Sequence, residues 1–189
     1  MWMRGKISYL NKKLKYNNFV ITIGYGIMLY LLYLSRTEEI GTGTYIFMMV
    51  TFSIFYLSYY LMFVLEKVME FSKGEKDYFH MVLEVVSIIV CIIVFFGMAY
   101  QYIYSFDKNS FSGFIGDSFL TKLISFQYFS FISFTTIGYG DILPVSNLAR
   151  IFAIIEGIFY FILIIFIVSS IGILRDSLKN VVVDEKDIE

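Results

Sequence analysis

Polar positions are sparse along this chain, and the intervals between them predict its elements. Apolar runs cover about 18–34, 44–65, 80–104 and 148–174. Each is near the roughly 20 residues that a helix needs to cross a bilayer core, the first being slightly short. A lesser apolar segment, FLTKLISFQYFSFISF at 119–134, is broken by Lys122 and Gln127 and runs into Gly and Asp. That length suits a helix that enters a membrane and turns back. Near the start, Ile7, Leu10 and Leu14 recur at helical spacing between lysines. They fit a short amphipathic helix lying on a membrane face, or equally a frayed basic arm.

Composition sharpens the class. Of 189 residues, 58% are hydrophobic, 20% aromatic and only 16% charged. A soluble domain carries roughly 25% charge, so this chain lacks the polar surface to cover a water-facing core. The expected class is an all-α integral membrane protein. A net charge of −1 gives no reason to expect nucleic acid as a partner. Cys91 is the sole cysteine and reads as a small apolar side chain. The basic N-terminal stretch lacks an apolar core followed by a cleavage site, so it does not read as a removable signal peptide.

Basic residues set an orientation. Arg4, Lys6, Lys12, Lys13 and Lys15 fall on one side with Lys67, Lys73, Lys76, Arg175, Lys179 and Lys186. Only Arg36, Lys108, Lys122 and Arg150 fall on the other. The positive-inside bias places both termini in the cytoplasm of a multi-pass protein, in the cell membrane, and turns 105–147 outward. The expected organisation is a basic arm at 1–17, two peripheral transmembrane helices with a cytoplasmic loop at 18–79, a pore domain at 80–174 and a short tail at 175–189.

The pentapeptide TIGYG occurs at Thr22–Gly26 and again at Thr136–Gly140. It differs from TVGYG, the potassium-filter sequence, by one methylene. The first copy continues without a break into Ile27, Met28 and Leu29, with no membrane segment before it. A filter there would expose unpaired backbone to lipid. Its glycines and Tyr25 therefore read as helix-packing residues. The second copy follows a short aromatic helix and precedes Asp141 and Pro144, which end the strand. Stripping water from a cation requires replacement oxygens, and successive backbone carbonyls facing one axis supply them. Gly138 and Gly140 permit the backbone angles this needs. The helix ending near Thr135 points its partial negative charge at the same place.

FQYFSFISFTTIGYGDILP, Phe126–Pro144, resembles the pore loop of tetrameric potassium channels, and the likeness extends over about 80–174. The resemblance implies a homotetramer with four transmembrane helices per subunit. The third and fourth would be outer and inner pore helices, with one re-entrant pore helix and a selectivity filter between them. It also implies that Thr136, Ile137, Gly138, Tyr139 and Gly140 supply the filter. Their carbonyls, with the Thr136 hydroxyl, would coordinate permeant K+, and no organic cofactor is implied. Thr135 and Asp141 would flank and support the filter. The aromatic pair that is often two tryptophans in the family is Tyr128 and Phe129 here. Where some relatives carry a Glu behind the filter, this chain has Ile132, so the Tyr128 hydroxyl is the expected partner of Asp141. The frequent hinge glycine corresponds to Tyr160, with Gly157 one turn earlier and Gly172 near the inner end. Phe161, Ile164 and Val168 align with cavity or gate positions.

Glu156 is the one ionisable residue inside the last apolar run. It reads either as a tuning residue behind the filter or as a hydrogen-bonded structural group. Glu84 and His80 lie near the opposite interface, where snorkelling or pairing accounts for them. No regularly spaced Arg or Lys in the first two helices suggests a voltage sensor. The tyrosines of the second, Tyr56, Tyr59 and Tyr60, face either the pore domain or lipid. No nucleophile–base set, metal cluster or phosphate loop supports an enzyme. The expected function is a potassium-selective channel. The alternatives are a weakly selective cation channel and an accessory membrane subunit that does not conduct alone. Membrane lipid is the other expected partner.

Overall fold

The computed structural model describes residues 18, 20–34, 41–72 and 78–186. The basic arm, with its candidate amphipathic helix, and the loop containing Lys73 and Lys76 lie outside the described residues. Five α-helices dominate the described residues. α1 is Val20–Leu34. α2 is Thr42–Ser72, α3 Tyr78–Phe106, α4 Phe119–Phe134 and α5 Asn147–Lys186. A 3-10 turn at Lys108–Ser110 follows α3. β1 (Phe111–Gly113) pairs antiparallel with β2 (Ile142–Pro144), with Ser112 opposite Leu143.

Among the described residues, three stretches are long and apolar enough to cross a membrane: Thr42–Val64, Leu83–Phe106 and Asn147–Ile165. Of the fourth expected span, the described helix Val20–Leu34 covers roughly 22 Å at 1.5 Å per residue. Asn18, also helical, is polar, and that polarity is used internally. The Asn18 carbonyl accepts from Thr22 Oγ1 at 2.9 Å and Tyr60 OH at 3.1 Å, while its side-chain oxygen accepts from Tyr59 OH at 2.9 Å. At the other extreme, α5 runs on to Lys186, beyond the end of its apolar run at Leu174.

The first TIGYG lies wholly within α1, and its side chains divide by helical periodicity. Thr22 shares hydrogen bonds with Tyr56 OH at 2.7 Å and Tyr60 OH at 3.0 Å. Tyr25 shares one with Ser53 Oγ at 2.7 Å. Gly26 lies so close to α3 that a Cβ would fall 2.2 Å from Met98 Sδ, whereas Gly24 faces open space. Buried hydroxyls must pair, and these pair with one another across α1 and α2. The tyrosines of α2 thus face inward, and the Tyr56 ring stacks on Phe95 of α3 at 4.1 Å.

α4 lies against α3 because α3 makes room for it. A Cβ at Gly97 would fall 2.5 Å from Gln127 Nε2, which donates to the Val94 carbonyl at 3.2 Å. Ser130 donates to the Ile93 carbonyl at 3.0 Å. Around these polar ties, Phe126, Phe129, Phe111 and Tyr100 pack edge-to-face, with centroids 4.9 Å apart for Phe111–Phe126 and 5.0 Å for Tyr100–Phe129.

Candidate ion pathway

The second TIGYG begins where α4 stops. α4 opens on a cap at Ser118, whose Oγ accepts from the Thr121 N–H at 3.1 Å. At its other end the last carbonyls need donors, and the following loop provides them. Thr135 N–H donates to Phe131 O at 3.0 Å and Thr136 N–H to Ser133 O at 3.1 Å. Ile137 and Gly138 N–H both reach Ile132 O, at 2.9 and 3.1 Å. The loop is therefore tied back onto α4 through its amide hydrogens.

Its carbonyls are left free. The oxygens of Thr136, Ile137, Gly138, Tyr139 and Gly140 accept no hydrogen bond from the described residues. Positive φ recurs at every second position: 59° at Thr136, 54° at Gly138 and 77° at Gly140. Glycine accepts that region freely, whereas a residue with a Cβ is strained there. Thr136 is the sole described non-glycine residue with positive φ. The strain is confined to the stretch read from sequence as functional. All five residues are exposed in the single chain, Tyr139 at 71% and Ile137 at 50%. A packed single subunit rarely leaves such side chains in the open beside a strained backbone.

Two devices hold the loop's far end. The Tyr128 hydroxyl donates to Asp141 Oδ2 at 2.8 Å, the pairing expected from sequence. Phe129, the other half of that aromatic pair, is buried, and Thr135 donates its hydroxyl back to Phe131 O at 2.7 Å. The hairpin is the second device, and no sequence signal had indicated it. β2 follows the loop directly and pairs with β1 from the α3–α4 connection. Gly113 has φ 114°, and a Cβ there would fall 2.0 Å from the Asp141 carbonyl oxygen. Only glycine fits that close backbone approach. Ser110 O then accepts from Val145 and Ser146 N–H at 2.8 and 3.1 Å.

Glu156 is fully buried. Its two oxygens are met by two different elements: Tyr100 of α3 donates at 2.7 Å, and Ser130 of α4 makes a short hydrogen bond. One carboxyl group thus joins α5 to both α3 and α4, behind the loop rather than in it. Tyr100 and Ser130 were missed from sequence, because a hydroxyl in an apolar run gives no hint of a partner tens of residues away. Tyr160, at the position of the family's hinge glycine, packs edge-on against Phe134 at the end of α4, with centroids 5.6 Å apart. Phe161, Ile164 and Val168 lie on an exposed face of α5, at 62%, 36% and 63%. Ile154, Ile158 and Ile165 are exposed with them. Gly157, one turn before Tyr160, meets nothing within 4 Å. Glu84 is half-buried on α3. No group of three metal-ligating side chains occurs among the described residues.

A comparison with protein families matches residues 88–175 to a family described as ion channel. No curated protein and no solved structure matches the chain. The matched segment begins in α3, takes in α4, the alternating loop and the hairpin, and ends within α5. These are the elements that frame the free carbonyls, and over them residues 88–175 match the two-helix pore-loop ion channel family.

Proposed function

We propose that the protein is a potassium-selective channel, and that four copies surround a common axis with Thr136–Gly140 lining it. The observation that carries this reading is the loop itself. Its amides are tied back to Ile132 while its five carbonyls stay free, on a backbone of alternating handedness. Alternation turns successive peptide planes so that their oxygens share one side. That is what a dehydrated cation needs in place of its water shell. K+ would bind at the carbonyls of Thr136, Ile137, Gly138 and Tyr139, with the Thr136 hydroxyl below them. Copies of the chain around the axis would cover Ile137 and Tyr139, which one subunit leaves exposed. They would also cover the apolar face of α5 carrying Phe161, Ile164 and Val168, whose character suits a dewetting constriction. The half-helix dipole of α4 ends at the loop and adds partial negative charge for a cation.

In this reading α4 is re-entrant, the α3–α4 connection faces outward and both termini are cytoplasmic. Passive movement of K+ down its gradient then follows with no step for an enzyme to perform.

The test is flux. Purified protein in liposomes with a K+ gradient and a proton-coupled dye should pass K+ and exclude Na+, and Ba2+ should block it. Gly138→Ala should abolish the current, since each copy would carry about 1–2 kcal/mol of left-handed strain. Equal Na+ and K+ flux would defeat the selectivity reading. Silence alone with flux on adding a second membrane protein would make this an accessory subunit. Cross-linking that stops at dimers would remove the four-fold axis.

A further inference from the structure

A cavity lies between α1, α3 and the start of α4, away from the loop. It holds about 720 Å³, within the usual range for a small-molecule site. α1 forms one wall through Ile23, Gly26, Ile27, Tyr30 and Tyr33. The opposite walls are α3 and the first turns of α4. Its character changes along its length. Ile23, Val94, Met98 and Leu123 make the deeper part apolar. Lys108 and Lys122 lie at the end where α3 finishes and α4 begins, with Tyr104 and Ser105 beside them.

Those two lysines are the informative pair. Neither meets a carboxylate among the described residues. Lys108 Nζ sits 4.4 Å over the Tyr104 ring, which holds the ammonium at the cavity wall. Partial burial, and then the charge of Lys122 alongside, hold the Lys108 ammonium below its usual pKa. Two like charges facing one cavity, with no counter-ion among the described residues, favour an anion between them. Tyr102, which also lines the cavity, has a buried hydroxyl with no hydrogen-bond partner among the described residues. The length fits as well. From Val94 to Ser105 the helix rises roughly 16 Å, about the depth of one leaflet of a ~30 Å core.

We infer that this slot is a binding site for an anionic glycerophospholipid, its phosphate between Lys108 and Lys122 and one acyl chain between α1 and α3. The lipid comes from the leaflet on the side of the α3–α4 connection. It lies beside the close contact of Gly26 with Met98 and between α1 and α3, so it joins α1 to the pore elements. The site is separate from the carbonyl loop and does not depend on which ion passes.

Retained lipid measured by native mass spectrometry tests this without reference to flux. Protein in neutral detergent is titrated with phosphatidylglycerol, phosphatidylcholine and glycerol phosphate. The expected result is one phosphatidylglycerol held per chain, with phosphatidylcholine held more weakly and glycerol phosphate neither bound nor competing. Lys108→Gln with Lys122→Gln should weaken phosphatidylglycerol roughly 30-fold, from the usual worth of two surface lysines to an anionic headgroup. Ile27→Trp, at an exposed position on the slot wall, should lower retention of both lipids. A matching thermal midpoint for each variant shows that the fold is intact. Equal retention by wild type and the double lysine variant overturns the proposal. So does competition by glycerol phosphate at the same concentration, which would make this a simple anion site.

Discussion

Tyr100, Ser130 and Glu156 offer a test in which the geometry sets an order of effects. The Tyr100 hydroxyl proton has one acceptor, Glu156 Oε2 at 2.7 Å. The Ser130 proton has two, Glu156 and the Ile93 carbonyl at 3.0 Å, and can serve only one at a time. Tyr100→Phe therefore leaves a buried carboxyl oxygen without its partner, at a cost of about 1–3 kcal/mol. Ser130→Ala removes a shared hydrogen bond and should cost about half as much. Glu156→Gln should cost least, below about 1 kcal/mol, because a Gln oxygen accepts from one hydroxyl while its amide donates to the other. The assay uses Cys91, the lone cysteine and a buried one. Its labelling by a thiol dye during SDS titration in mixed micelles reports opening of the helix packing. Tyr100→Phe should raise the opening constant roughly 5- to 140-fold, at 1.4 kcal/mol per factor of ten. A Tyr100→Phe midpoint equal to wild type would refute the reasoning. So would Glu156→Gln proving the most disruptive of the three.

The two glycines of the first TIGYG should behave differently under the same SDS assay. Gly26→Ala should destabilise by about 1 kcal/mol or more as Met98 is pushed from its place. Gly24→Ala, facing open space, should be neutral or slightly stabilising by helix propensity. Equal losses would count against α1 packing on α3 at Gly26. Gly97→Val should displace Gln127 from the Val94 carbonyl and loosen α4, read as reduced ion flux at unchanged expression. Tyr128→Phe frees Asp141, and currents in planar bilayers should then decay faster than wild type under sustained voltage. Unchanged decay would mean that this hydrogen bond does not hold the loop.

Much of the architecture was readable as apolar run length. The 119–134 segment coincides with α4, Phe119–Phe134, because Ser118 caps one end and the backbone reverses at Thr135–Thr136. The identical pentapeptides were separable by what flanks them. Thr22–Gly26 continues into more apolar helix, while Thr136–Gly140 is pinned between a helix end and Asp141. Sequence also supplied the Tyr128–Asp141 pair, through the missing Glu at Ile132. It did not supply the hairpin, because FSG and ILP are too short to show a period of two. It did not reveal the Glu156 partners either, since those contacts depend on how α3, α4 and α5 cross. That α5 stays helical beyond Leu174 was not legible for a related reason. Hydropathy marks where a helix leaves hydrocarbon, not where its hydrogen bonding stops.

That last helix has a mechanical consequence. From Leu174 to Lys186 it continues for roughly 18 Å past the end of its apolar run, at 1.5 Å per residue. A helix of that reach works as a lever: a tilt of about 10° where it leaves the bilayer sweeps its tip sideways by roughly 3 Å. Small rearrangements among α3, α4 and α5 are thereby enlarged into displacements that a probe attached near Lys186 would register.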